Sequence, residues 1–126
     1  MKQIVYVSDS MKEAVNFING LISDLQQLGI DNIKHDKEHN FIIVGNTEIR
    51  GIGVYENFLC TKIHDTEYFI DGIDMRKYKN ASNRQIDSLI YHIKETMSHF
   101  RENTKQLENK DELIKILTRN NAEASK

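Results

Sequence analysis

The spacing of apolar positions changes several times along the chain, and each change marks a predicted element. Gln3-Ile4-Val5-Tyr6-Val7 is a short run with β-branched residues, which predicts a buried strand. Ser8-Asp9-Ser10 stops it, and Ser10 with Glu13 matches the capping pattern S-x-x-E. From Met11 to Leu28 the spacing becomes helical. Met11, Ala14, Val15, Ile18, Leu21, Ile22, Leu25 and Leu28 share one face. Gly20 weakens that helix by about 1 kcal/mol against alanine unless it permits close packing. Gly29 ends it.

Strands follow. Asp31 to His35 is weakly strand-like and Phe41-Ile42-Ile43-Val44 strongly so. Gly45-Asn46 is a two-residue hairpin signal that returns the chain along Thr47 to Tyr55. Gly51 and Gly53 interrupt that alternation, which predicts a bulge or the close approach of another backbone or a ligand. Phe58 to Ile63 reads as a further short strand or an irregular crossing, and Glu67 to Asp71 as a buried strand. Helical spacing then returns. Ser82-x-x-Gln85 is a second capping box, and Ile86, Leu89, Ile90, Ile93, Met97 and Phe100 extend one apolar face to about Lys105. Asn109 or Asp111 opens a shorter helix with Leu113, Ile114, Ile116 and Leu117. The polar stretch from Asn120 to Lys126 reads as a frayed tail. The prediction is one small α/β (α+β) domain over residues 1–119, with one βα unit, a hairpin-rich mixed sheet and C-terminal helices.

Composition adds limits. At 126 residues with 39% hydrophobic and 29% charged side chains, the chain is an ordinary globular domain, too apolar for wholesale disorder. A net charge of -2 gives no global basic field, so a nucleic-acid partner is not expected and any anion site must be local. The lone Cys60 excludes an internal disulfide and fits a reducing cytoplasm. No leader-like or bilayer-spanning apolar run is present, and a membrane partner is not expected. Leu107, Leu113, Ile114, Ile116 and Leu117 need a surface to cover them, and in so small a chain that surface is expected to be a second copy. Proline and tryptophan are absent while asparagine, isoleucine and lysine are abundant, as in translation of an AT-rich bacterial or phage genome.

Several chemistries are missing. The chain opens as strand, Ser/Asp turn and helix, as nucleotide-binding proteins do, but no G-x-x-x-x-G-K-[ST] or G-x-G-x-x-G occurs. Arg50-Gly51 followed by the strand Tyr68 to Asp71 loosely echoes motor ATPases; without a phosphate loop nothing would position a γ-phosphate. His35 and His39 fall on a predicted turn, His92 and His99 are seven apart on one helix, and His64-Asp65 stands alone, so no metal is expected. Cys60 with Lys62 and His64 could form a nucleophile and base, against the simpler reading of a buried apolar thiol. Asp71 and Asp74 are paired carboxylates that nothing marks as catalytic. Neither a cofactor nor an enzymatic activity is expected.

The sharpest local feature is the loop Arg76-Lys77-Tyr78-Lys79-Asn80 with Asn83 and Arg84. Four cations and a tyrosine lie within nine residues and lead into a helix start. Cations and helix amides bind phosphate, and a tyrosine ring stacks on a base. The alternative is a solvated surface loop. Arg50, beside two glycines, and Arg101 with Lys105 are candidates to complete a pocket, within the chain or across a subunit interface.

Small size, phage-like composition and a basic-aromatic loop before a long helix, with Tyr78, Asn80, Asn83, Arg50 and Arg101 as the residues concerned, resemble the phage-encoded Thoeris anti-defence sponge proteins. The resemblance implies an oligomer that binds a cyclic ADP-ribose-type signal without cleaving it. On this reading Arg76, Lys77, Lys79 and Arg84 carry phosphate charge, Tyr78 stacks, and Asn80 or Asn83 supplies hydrogen bonds. Two other readings stand beside it: a protein-protein inhibitor of a host defence factor such as an anti-CRISPR, and a degenerate NTPase-like domain or enzyme of unrecognised type.

Overall fold

The computed structural model describes residues 1–56 and 63–124. Cys60, Lys62 and all but the last residue of the Phe58 to Ile63 segment lie outside the described residues, and with them the Cys-His reading. Strands β1 (Lys2–Ser8), β2 (Ile33–Asp36), β3 (Phe41–Val44), β4 (Thr47–Gly53), β5 (Thr66–Asp71) and β6 (Lys105–Leu107) form one sheet. Helices α1 (Met11–Gln27), α2 (Asn83–Met97) and α3 (Lys110–Ala124) pack on it. The sheet order is β2-β3-β4-β1-β5-β6. β4, β1, β5 and β6 run parallel, and β3 is antiparallel to both β2 and β4. The expected small α/β domain is therefore present.

β1 is central, and its apolar run is continuous because both faces are covered. Ile4 joins Ile18, Leu21 and Leu25 of α1 and Leu113 and Leu117 of α3 on one face. Val5 and Val7 join Ile52, Val54, Ile63 and Leu89 on the other, with Ile93 and Met97 of α2 packed against them. Each such side chain removed from water contributes about 1.5–3 kcal/mol.

Local signals operate as read. Ser10 Oγ accepts the Glu13 N–H at 3.2 Å, although the Glu13 carboxylate turns to Lys77 instead of back to the cap. In α2 both halves of the box form: Ser82 Oγ accepts from Gln85 N at 3.2 Å, and Gln85 Oε1 accepts from Ser82 N at 2.9 Å. α1 stops with Ile30 N–H on Leu25 O and Gly29 N–H on Gln26 O, with Gly29 at φ 83°. That is a Schellman ending, sealed by the buried contact of Ile30 with Leu25. Gly45 at φ 60° takes the first position of the β3–β4 turn, the place where a II′ hairpin needs glycine.

Gly51 and Gly53 mark the approach of another backbone. A Cβ on Gly51 would lie 2.9 Å from Ala14 O, and one on Gly53 would lie 2.9 Å from Met11 N, so α1 rests directly on β4. Gly20 has no such reason. A Cβ there meets only Lys110 Nζ, at an ordinary 3.7 Å. Gly20→Ala is therefore expected to stabilise the chain by about 0.5–1 kcal/mol in urea denaturation; a loss of stability would show a packing role the geometry does not contain.

Three expectations need correction. α2 ends at Met97 rather than near Lys105, and Ile90 is 38% exposed. The helical spacing ran on because Phe100, in the turn after the helix, still packs on the α2 side of the sheet with its ring 5.4 Å from that of Phe69. Lys105–Leu107 is instead a strand, placed by Tyr68↔Lys105 and Ile70↔Leu107 pairing and by the Thr104 hydroxyl donating to Thr66 O at 2.8 Å. Second, Leu107, Leu113 and Leu117 are buried in the chain's own core, with Ile114 and Ile116 packed against it, so they supply no argument for a second copy. Third, α3 does not fray at Asn120 but continues to Ala124, with Asn120 Nδ2 donating to Thr47 Oγ1 at 3.0 Å.

Candidate functional site

The connections leaving β1 and β5 diverge. α1 follows β1 on one face of the sheet, and α2 follows β5 on the other. A crevice opens at the carboxyl ends of these strands, where ligands bind in open parallel sheets. The basic loop lies there, as a 3-10 turn over Met75–Tyr78 whose Asp74 Oδ1 caps the Arg76 N–H at 3.0 Å. Gly72 lets the chain leave β5, because any side chain there would run into the Tyr6 ring. That ring is itself stacked on Phe17 at 3.8 Å.

Asp9, read from the sequence only as part of a helix cap, is the anchor of this end of the sheet. Its side chain is 8% exposed, and Lys77 Nζ lies 3.7 Å from Oδ1. Tyr78 Oη donates to its Oδ2 at 2.5 Å. Lys77 Nζ also lies 3.5 Å from Glu13 Oε1. Burial, followed by the charges of Glu13, Asp9 and Asp71, raises the Tyr6 phenol above its ordinary value. The hydrogen bond to Asp9, with some burial, pushes that of Tyr78 up to about 12. A raised phenol pKa means that the fold favours the neutral form. The stability contributed by this bond is complete below pH 10 and is lost as pH climbs through about 12. Tyr78→Phe is expected to remove the corresponding ionisation from the alkaline limb of the tyrosinate absorbance curve. An unchanged limb would mean that the hydroxyl is not held by Asp9.

The predicted cations divide. Arg76 forks onto Asp74, with Nε 2.9 Å from Oδ1 and Nη2 3.1 Å from Oδ2, and this bonding holds the Asp74 carboxyl below its ordinary range. Lys77 is engaged by Asp9 and Glu13. Lys79 and Arg84 take part in no ion pair among the described residues. Asn80 and Asn83 are exposed beside them. Arg84 lines a recess of about 410 Å3 with Tyr55, Tyr78, Gln85 and Ser88. Tyr55, which leaves the end of β4 and is 47% exposed, went unnoticed in the sequence because it carried no motif. Its ring is 4.6 Å from His92, whose Nδ1 bonds Ser88 O at 2.7 Å.

Two predicted residues lie elsewhere. Arg50 points from the middle of β4, 3.2 Å from Glu48 and with its guanidinium 4.5 Å from the centre of the Phe41 ring. Arg101 pairs with Asp65 and lines a pocket with Thr66 and Lys105, at the starting ends of β5 and β6. A strand of this length separates that pocket from the loop by nearly 20 Å. Neither reaches the Tyr78 recess within one chain.

No protein-family model, no curated protein and no solved structure matches this chain. Among the described residues no group of three His, Cys, Asp or Glu side chains is placed to hold a metal ion. His64 and His99 approach only to 6.2 Å between ring centres. Also among the described residues, no helix is long and apolar enough to cross a membrane. What the crevice offers is two aromatic rings, an arginine with no ion pair among the described residues, and small polar groups at a helix start. Those groups suit recognition of a flat, anionic molecule.

Proposed function

We propose that the chain is a non-catalytic binder of a nucleotide-type ligand, which it sequesters whole. The observation that carries this reading is the recess in which Tyr55, Tyr78 and Arg84 meet at the carboxyl ends of the parallel strands. The tyrosine rings supply faces for a base. Arg84, in the first turn of α2, and Lys79, at the end of the 3-10 turn that carries Tyr78, supply charge for phosphate, reinforced by the positive end of the helix dipole. Ser88 and the amide nitrogen of Gln85 supply hydrogen-bond donors. Arg76 and Lys77, already paired with carboxylates, hold the loop in place rather than hold the ligand. As a phage protein it would withhold a cyclic ADP-ribose-type signal from a host defence system, the role its resemblance implies.

Native mass spectrometry of the purified chain with a panel of linear and cyclic nucleotides tests the reading. The expected result is one nucleotide retained at its original mass. A ligand returned cleaved would make the protein an enzyme, and a chain that ignores the whole panel would overturn the proposal. Tyr55→Ala and Arg84→Ala are each expected to weaken binding about tenfold, some 1.4 kcal/mol, with an unchanged melting temperature. Parental affinity in both would remove the recess as the site. Tyr78→Ala is the poorer probe, because that residue also packs on the core and bonds Asp9.

A further inference from the structure

A second groove lies away from the crevice, at the β6 edge of the sheet. It measures about 400 Å3 and runs between β6 and α3. Tyr68, Leu107 and Ile116 line it together with Lys105, Lys115 and Arg119. All three cations are exposed, and none enters an ion pair among the described residues. The acid in the groove, Glu112, is occupied: its Oε2 accepts the Glu108 N–H at 2.7 Å. A smaller pocket, about 210 Å3, shares Tyr68 and Lys105 and lengthens the groove past the start of β6. β6 is the last strand of the sheet, so among the described residues one side of its main chain has no strand neighbour.

We infer that this edge binds an extended acidic segment of a partner protein, added as a seventh strand beside β6. The main chain of β6 would pair with the segment, and alternate side chains of the segment would face α3. Lys115 and Arg119 are one helical turn apart, a rise of about 6 Å. Alternate residues of a strand repeat at about 6.6 Å. A segment with acids at every second position therefore sets successive carboxylates against Lys115, Arg119 and Lys105, while its backbone meets the strand edge. A groove that read charge alone would favour any polyanion. The open strand edge is what favours polypeptide.

The test uses the full chain and a labelled peptide alternating glutamate with threonine, followed by fluorescence anisotropy. An isomer with its glutamates in one block is expected to bind about tenfold more weakly, because its carboxylates fall on both faces. Of two versions methylated on alternate amide nitrogens, one in each register, one is expected to lose about tenfold and the other little. Lys115→Glu and Arg119→Glu are each expected to lose about tenfold with the melting temperature unchanged, and excess oligothymidylate is expected not to displace the peptide. Absence of binding, equal binding by both methylated versions, or displacement by oligothymidylate at equal charge would each overturn the inference. So would sedimentation showing that β6 pairs with β6 of a second copy. None of these outcomes depends on the nucleotide recess.

Discussion

Leu117→Ala is expected to cost about 2–5 kcal/mol, lowering the melting temperature by roughly 10 °C or more. Leu117 is fully buried, and it shares a cluster with Leu113 of α3, Leu107 of β6, Ile4 of β1 and Leu21 of α1. Its removal takes apolar area from the core and leaves a cavity that these four elements cannot close together. The same experiment tests whether the last helix belongs to the domain or to a subunit interface. A core role makes the loss of stability independent of protein concentration. A melting temperature that falls on dilution, with little change at high concentration, would return the apolar face of α3 to a second copy.

Gly51→Val is expected to destabilise by about 3 kcal/mol, read as a fall in the urea midpoint at unchanged slope. The first added carbon would stand 2.7 Å from Asn40 Nδ2 and 2.9 Å from Ala14 O. Asn40 has little freedom to retreat. It is buried, its backbone is left-handed at φ 53°, and it is bonded twice to Gly51: through its own carbonyl at 3.0 Å and its side-chain amide at 3.2 Å. The helix backbone cannot yield without lifting Ala14 and Ile18 from the sheet. A midpoint equal to the parent's would mean that α1 does not sit on β4 as described. The contrast with Gly20, where the same kind of change is expected to help, isolates close backbone approach as the cause.

These two positions also separate what was legible from what was not. Helix starts at Ser10 and Ser82, the Gly29 ending and the Gly45 turn were readable because each rests on groups within a few residues of one another; the last helix start stood open between Asn109 and Asp111, and Asn109 Oδ1, accepting the Glu112 N–H at 3.1 Å, decides it. Their geometry is local, so their order in the chain is enough to state it. The core faces of α1 and β1 were readable for a related reason, since a periodic apolar stripe has to be covered by something. The pair Gly51 and Gly53 announced a close approach without naming what came close.

Pairing between distant segments lay beyond the sequence by itself. Three residues carry no recognisable alternation, so Lys105–Leu107 became a strand only through its neighbour β5, and the apolar spacing of α2 ran through Phe100 without a break. The same limit governs the site. The run from Arg76 to Arg84 was visible as charge, yet charge counted along a chain does not say which cations are already answered. Folding brought Asp9 and Glu13 to Lys77, left Lys79 and Arg84 without an ion pair among the described residues, carried Tyr55 to the recess, and put Arg101 at the other end of β5. The sequence by itself determined the class of fold, the places where helices begin and the loop worth watching. Tertiary structure decided the strand order, the cover for α3 and the composition of the recess, because each depends on contacts between residues tens of positions apart.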